Sequence, residues 1–472
     1  MSRVAVATTS QLAADAAKEV AELGGNAVDC ALAASLLTIN TEPGVCALGG
    51  SAFITIWTNG EDPITVDGNV AVPGKGLADN ERKRGATEIT IEYGGGITTL
   101  VGPGSVAVPG TLAAMEDAWN HYGRAPWSAI FAPTIRACRE GFALSRACRY
   151  YLGYSGDVIF GRSKDGHAAL HRDDGSLLDA GEKVLIPHLA DTLEAIANEG
   201  GRLFYEGEIA RAISQHCRDG DGMLTYEDLS SYRAIERAPL ITEIGDWQLA
   251  SNPPPAVGGS VLAAMLLACA DLDIEQWDST SLLRLIQSQR ACLDFRKTHL
   301  DLAEDVGPEA ARLVAAARDG RLLARWTSAS TVHTSVVDEL GNGCAITASS
   351  GYGSGEMPDG TGLWLNNCLG EIELNRHGLD AGPPGARLPS NMAPSVARRD
   401  GTILAVGSPG ADRITTALQQ FLINYLQLGM PLQEAIAHPR VHVDTSGEIV
   451  KLKAEPGLDL PEIDLPISVF PS

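Results

Sequence analysis

Ser330-Thr331-Val332-His333-Thr334-Ser335-Val336-Val337-Asp338 is the stretch on which the reading of this chain turns. Residues 331 to 337 alternate in the manner of a strand. A turn around Gly341-Asn342 and a second strand-like run, Gly343 to Ser349, make it one arm of a hairpin. A threonine at the head of a strand is ordinary, because threonine favours strands. Its reading changes with the segments that follow in order: GYGSGEMPDGTG at 351–362, LNNCLGE at 365–371, RLPSNMAPS at 387–395 and GSPGADRI at 407–414. Ser395 to Ala397 and Thr402 to Val406 read as strands paired across Arg399-Asp400-Gly401. Gly407-Ser-Pro-Gly410 then turns into a helix expected from Ile414 to Leu428. A strand, glycine turn and helix in that order aim backbone N–H groups at a negative charge. Gly362 to Asn366 reads as one more short strand.

Upstream, Gln11 to Leu23 and Ala27 to Leu37 have helical spacing and are separated by Gly24-Gly25-Asn26. Ala52 to Trp57 and Ile64 to Asp67 form a hairpin around Asn59-Gly60. From about 110 to 330 the chain reads as mostly helical, with Thr111 to Tyr122, Ile130 to Gly141, Leu189 to Glu199, Ile209 to Gln215, Gly259 to Leu272 and Ser279 to His299 as the periodic segments. Thr225 with Asp228 three residues on has the form of a capping box.

The 472 residues allow about three units or one large enzyme domain. A chain that is 44% hydrophobic and 20% charged buries a sizeable core, which excludes disorder for its bulk. Lys+Arg is 36 and Asp+Glu is 59, a net charge of −23. That balance repels phosphate backbones and anionic lipid, so nucleic-acid and membrane-surface partners are not expected. No uncharged apolar run reaches 18 residues, and Asp15, Lys18, Glu19 and Glu22 interrupt any leader-like segment. The nine cysteines are odd in number and include no CxxC pair, which argues for reduced thiols and a cytoplasmic protein. Asp219-Gly-Asp-Gly222 opens like a calcium loop but lacks its closing pattern, and neither a metal nor an organic cofactor is expected.

In these segments the chain resembles the gamma-glutamyltransferases (glutathione hydrolases), N-terminal-nucleophile hydrolases that cut themselves in two. Thr331-Val-His-Thr-Ser-Val-Val-Asp338 is similar to the motif that opens the family's small subunit. Gly25-Asn26-Ala27-Val28-Asp29, Val108-Pro109-Gly110-Thr111, Gly222 to Asp228 and the Pro254-to-Gly259 turn resemble family segments too, so the likeness runs over nearly the whole chain. It implies an α+β fold, a four-layer αββα sandwich in which residues 1–330 (large subunit) and 331–472 (small subunit) stay associated after self-cleavage and build one core. It implies Thr331 as nucleophile, its own freed α-amine as base, and backbone N–H groups of Gly410 and Ala411 as the oxyanion donors. An α-amine, with a reference pKa of about 7.7–8, keeps a useful neutral fraction near pH 7.

The departures fall on the substrate reader. The family's carboxylate-clamping arginine aligns with Asn69, and an amide cannot make the charged bidentate fork. Asn366-Asn367-Cys368-Leu369-Gly370-Glu371 stands where the family holds the substrate amine, with Cys368 replacing a glutamine and Glu371 still able to offer a negative charge. The family's paired serines are Ser390 and Asn391 here, and Ser349 or Ser350 takes the place of a Thr-x-Asn segment. Thr331, Gly410, Ala411 and Ser349 are therefore the candidate catalytic residues. Asn69, Asn367, Cys368, Glu371, Ser390 and Asn391 are the candidate substrate contacts. Arg82 or Arg84 could supply a cation in place of the missing arginine. His333 reads as a structural histidine, because the α-amine already supplies the base.

The expected activity is amide hydrolysis or acyl transfer to water or an amine through an acyl-Thr331 ester, on a small-molecule amide or gamma-glutamyl-like substrate. The alternatives are an amidohydrolase for a small acid amide that is not gamma-glutamyl, and a catalytically inactive relative that binds a metabolite.

Overall fold

All fifteen residues of the helix Ala27–Thr41 (α2) are buried, and it packs against neighbouring helices and the strands Val332–Asp338 and Gly343–Ser349. Its sequence, AVDCALAASLLTINT, is apolar or small on every side, as a helix enclosed on all faces requires. Asn26 caps it by accepting from Val28 and Asp29 N–H, and Asp29 accepts in return from the Asn26 N–H at 2.9 Å. The Asp29 carboxylate also takes the N–H groups of Arg124 and Ala125, so one side chain fixes the helix start and a distant loop. Gln11–Glu22 (α1) packs beside it.

The computed structural model describes residues 2–78, 81–82, 84–92, 96–270, 277–319, 331–372, 374–410, 413–445 and 449–469. Ten strands build two antiparallel sheets. In chain order they are Val4–Ala7 (β1), Ser51–Trp57 (β2), Ile64–Gly68 (β3), Ile235–Arg237 (β4), Leu240–Ile244 (β5), Trp247–Ser251 (β6), Val332–Asp338 (β7), Gly343–Ser349 (β8), Ser395–Arg399 (β9) and Thr402–Val406 (β10). The first sheet has the order β1-β7-β8-β2-β3-β4 and the second β10-β9-β6-β5. A smaller three-stranded sheet, Val441–Asp444, Lys451–Ala454 and Ile467–Val469, lies near the C-terminus.

The period of two in each strand sorts its side chains between faces. Trp57 and Ala345 of the first sheet share a cluster with Ala250 and Val396 of the second. Their neighbours Leu249 and Ala397 point the other way, into a cluster with the helices Gly258–Leu267 (α4), Ser279–Phe295 (α5) and Arg413–Leu422 (α6). On the far side of the first sheet lie α2, against β7 and β8, and Thr111–Tyr122 (α3), against β2 and β3. Gly343 allows the sheets to approach: a Cβ there would stand 2.9 Å from both Ile403 and Val396 side-chain carbons. Across the gap, the Thr55 hydroxyl donates to the Pro394 carbonyl at 2.9 Å.

Three expectations of secondary structure are refined by the structure. The stretch expected to be mostly helical contains β4, β5 and β6; these strands are three to five residues long, and their alternation is easily lost between helices. Gly362 to Asn366 makes a single bridge, Leu365 to Gly49, rather than a strand. Its place is held by the Asn366 side chain, which donates to the Gly49 and Ala107 carbonyls at 2.8 and 2.9 Å. The helix expected to run to Leu428 is α-helical to Leu422 and continues as a wider π turn to Gln427. Among the described residues no helix is long and apolar enough to cross a membrane.

Candidate active site

The register of the first sheet brings four polar side chains into line. Val332 faces Ala348, Ser349 faces Ser51, and Ala52 faces Gly68. One residue further along the outer two ladders, Thr331 stands beside Ser349 and Ser51 beside Asn69. Thr331, Ser349, Ser51 and Asn69 thus form one row across four strands, on the face turned towards the second sheet. All four line the same cleft, of about 450 Å³ with the open solvent at its mouth included. Its other walls include Cys368, Glu371 and Asn375 on one side and Ser390, Asn391 and Met392 on another. The Ser51 hydroxyl donates to the Ser349 carbonyl at 3.0 Å, and the Ser349 Oγ accepts from the Gly351 N–H at 3.2 Å.

The row beneath it runs His333, Thr347, Phe53, Asp67. His333 Nδ1 lies 2.9 Å from the Thr347 hydroxyl and Nε2 lies 2.7 Å from the Ser335 hydroxyl. Burial pushes its pKa down to about 3, so the ring is neutral at physiological pH. Hydroxyls suit such a ring, because each can donate to the bare nitrogen or accept from the protonated one. Asp67 is fully buried below Asn69; it accepts from the Asn69 N–H at 2.9 Å and from Arg237 Nε at 2.7 Å, and Arg387 Nε is 3.7 Å away. Asn69 turns its amide to the Leu388 carbonyl, 2.6 Å from Nδ2.

On the opposite wall, Gly351 has a φ of +66°, and a Cβ there would fall 2.4 Å from Asn367 Oδ1 and 2.8 Å from Glu371 Oε2. Only glycine fits. Cys368 is buried against Glu371; burial first, and then the neighbouring carboxylate, hold its thiol well above the ordinary range and therefore uncharged. Ser390 and Asn391 are held from the second sheet's side. The Ser390 carbonyl accepts the N–H groups of Val257 and Gly258 at 2.9 and 3.1 Å, at the start of α4. The Asn252 amide donates to the Met392 carbonyl at 2.8 Å.

The structure therefore brings Thr331, Ser349, Asn69, Cys368, Glu371, Ser390 and Asn391 to one cleft. Asn367 stands behind its wall. Its Oδ1 accepts from the N–H groups of Tyr352 and Gly353, and its Nδ2 donates to the Thr99 hydroxyl and the Leu100 carbonyl, which saturates the amide. Gly410, at φ +116°, does not line the cleft, and Ala411 lies outside the described residues. The glycine turn instead meets the site through Gly407, which packs on the His333 ring. Arg84 pairs with Asp380, and neither Arg84 nor Arg82 lines the cleft. Sequence reasoning missed Ser51 and Asn375; Ser51 was findable, because it heads the strand that follows Gly49-Gly50. Away from the cleft, ligand atoms of Asp117, His121 and Glu236 lie within 4.8 Å of one another on the surface, a grouping common without an ion.

The profile of the Gamma-glutamyltranspeptidase family matches residues 13–461. The chain belongs to this family. It is 28% identical over 477 residues to the glutathione hydrolase proenzyme of Escherichia coli (strain K12), covering 92% of this chain and 79% of that one. It is 29% identical over 479 residues to the acylase ACY 1 proenzyme of Pseudomonas sp. (strain V22), covering 96% and 84%. Among solved structures, the cephalosporin acylase from Bacillus halodurans shares the fold with a TM-score of 0.76 at 23% identity, over 96% of this chain and 85% of that one. The gamma-glutamyltranspeptidase from Pseudomonas nitroreducens complexed with L-DON aligns with a TM-score of 0.55 at 26% identity, over 67% and 92%. Transpeptidase family membership, with glutathione hydrolase and acylase relatives, makes this chain an enzyme of amide hydrolysis or acyl transfer on an α+β fold.

Proposed function

We propose that the protein is a self-processing N-terminal-threonine amidohydrolase or acyltransferase, built as a four-layer αββα sandwich, in which Thr331 carries the acyl group. The observation that carries this reading is the row Thr331, Ser349, Ser51 and Asn69 opening into one cleft. The Thr331 hydroxyl attacks the carbonyl carbon of Ser330, the peptide C–N bond breaks, and the nitrogen leaves as the α-amine of Thr331. Water then hydrolyses the ester and frees residues 331–472 as a small subunit that stays with 1–330. In turnover the α-amine takes the hydroxyl proton as the hydroxyl attacks the substrate amide, and later gives a proton to the leaving amine. Water or a second amine then removes the acyl group. The substrate is a small-molecule amide. The nine buried cysteines, none joined in a disulfide, favour a reducing compartment, the cytoplasm, as the place of action.

Mass spectrometry of the purified protein tests the reading. The expected result is a pair of chains of 330 and 142 residues, since 472 − 330 = 142. Thr331→Ala is expected to remain uncut and inactive, and Thr331→Ser to cleave because it keeps a hydroxyl. Active wild-type protein that consists of one uncut chain would overturn it. A second reading, an acylase for amides other than gamma-glutamyl compounds, is favoured by Asn69, whose amide is tied to Leu388 where the family has a cationic clamp.

A further inference from the structure

Asn69 opens on the cleft, but the groups that hold it stand outside. Its backbone N–H donates to the Asp67 carboxylate at 2.9 Å, and its side-chain amide donates to the Leu388 carbonyl at 2.6 Å. Its carbonyl accepts from the Tyr232 hydroxyl at 2.5 Å. Tyr232 is buried and does not line the cleft. It follows the short helix Tyr226–Ser231. Asp228, of the capping box that starts this helix, also accepts the N–H groups of Gly74 and Lys75 at 2.7 and 3.0 Å. The helix is thereby anchored to the chain just beyond Asn69.

The Tyr232 ring is fixed as firmly as its hydroxyl. It stacks on Tyr205 with centroids 5.7 Å apart, and the Arg387 guanidinium lies 4.2 Å over it. Arg387 donates to the Arg233 carbonyl at 2.7 Å and directly precedes Leu388, the acceptor of the Asn69 amide. Tyr232 therefore bears on Asn69 twice, once at its carbonyl and once through the segment that receives its side chain. Burial holds the Tyr232 hydroxyl well above the ordinary phenol range, so it stays a donor at physiological pH. Gly110 makes room for the contact: a Cβ there would stand 2.1 Å from the Tyr232 hydroxyl and 2.3 Å from the Gly68 carbonyl oxygen. The neighbouring Pro109 carbonyl accepts from the Tyr205 hydroxyl at 3.3 Å, so the Val108-to-Thr111 segment serves both tyrosines. A buried tyrosine that needed only a partner could use any carbonyl. Here the acceptor belongs to a residue whose side chain faces the cleft.

We propose that Tyr232 is a positioning residue: from behind the cleft wall it sets the direction in which the Asn69 side chain meets the substrate. This rests on the reading of the cleft as the place where Thr331 takes up the acyl group.

Tyr232→Phe removes the hydroxyl and keeps the ring with its stack. On the processed enzyme, with γ-glutamyl and butanoyl p-nitroanilides as probes, KM for the better of the two is expected to rise about tenfold while kcat stays within about twofold. The same change in an Asn69→Ala background separates positioning from general support of the fold. There it is expected to move KM by less than about twofold, because the side chain it directs is gone. A KM that Tyr232→Phe leaves unchanged, or raises by the same factor in both backgrounds, would overturn the proposal. Where both anilides are inert, the crystal structure of Tyr232→Phe decides. An Asn69 amide turned away from the Leu388 carbonyl supports the proposal, and an unmoved Asn69 overturns it. Failure of the underlying reading shows separately, as turnover that persists in Thr331→Ala.

Discussion

The imidazole of His333 occupies the space that a side chain on Gly407 would need. A Cβ at 407 would stand 2.2 Å from His333 Cε1 and 2.3 Å from Nδ1. His333 is two residues along the strand from Thr331, and Gly407 begins the turn that leads to Gly410. The contact is therefore a direct link between the strand that begins after Thr331 and the turn that begins at Gly407.

Gly407→Ala forces these two apart. Overpacking of this kind typically costs about 1–3 kcal/mol, and a shift of the turn is expected to lower kcat by an order of magnitude or more. Chemical denaturation and steady-state kinetics measure the two effects. Combining the change with His333→Ser, which opens the space, is expected to recover part of both losses. Strict additivity of the two substitutions would refute the coupling.

Acid should destabilise the protein through His333. Its folded pKa is about 3, against about 6.5 when exposed, so the unfolded chain binds the extra proton between those values. The stabilisation is fully present above pH 6.5 and is lost progressively as pH falls towards 3. By pH 5 this amounts to about 2 kcal/mol for one such histidine. His442, also buried and also pushed down to about 3, adds in the same sense. Urea midpoints at pH 7 and pH 5 should differ less in His333→Gln than in the wild type, and an equal difference would rule the histidine out as a source.

Asp67→Asn should be among the more damaging substitutions outside the cleft lining. It removes the negative charge shared by Arg237 and by the buried Arg387, and a broken buried pair typically costs about 3–5 kcal/mol. Because Arg237 is partly exposed, the lower end of that range is expected. A melting temperature within a degree of wild type would show that the two arginines find other partners.

Asn69→Arg offers a positive charge to the cleft in place of the Leu388 tie. The expected result is a rise in γ-glutamyl relative to butanoyl p-nitroanilide turnover, with some loss of stability from the broken contact. An unchanged ratio would show that position 69 does not read the carboxylate.

Much of this architecture is legible from local pattern, and what is not has identifiable causes. Helix α2 announces itself through its uniform apolarity and the Asn26 and Asp29 cap, and the hairpin from Thr331 to Ser349 through alternation and a glycine turn. The strands between Ile235 and Ser251 are too short for their period to stand out. At the site, Thr331, Cys368 and Glu371 are marked by residue type and order along the chain. Asn367 looks equally functional on those grounds, but the N–H groups of Tyr352 and Gly353 claim its amide oxygen, a demand set by residues fifteen and fourteen positions away. The approach of Arg387 to Asp67 and the burial of Asp67 depend on segments remote in sequence, so neither is visible before the fold is known.

If the chain is cut before Thr331 as proposed, the position of the β7–β8 hairpin decides how the processed molecule comes apart. That hairpin lies between β1 and β2, paired along both edges, and β9 with β10 extends the second sheet from β6. A cut before Thr331 therefore leaves the two chains interleaved rather than docked. Their separation requires opening three ladders, so dilution alone should not dissociate them, and melting should be nearly independent of protein concentration on the way up. Recovery is a different matter. Once unfolded, the two chains must find each other as a second-order reaction, so the native form is retained by a high barrier to unfolding and is slow to regain from its parts.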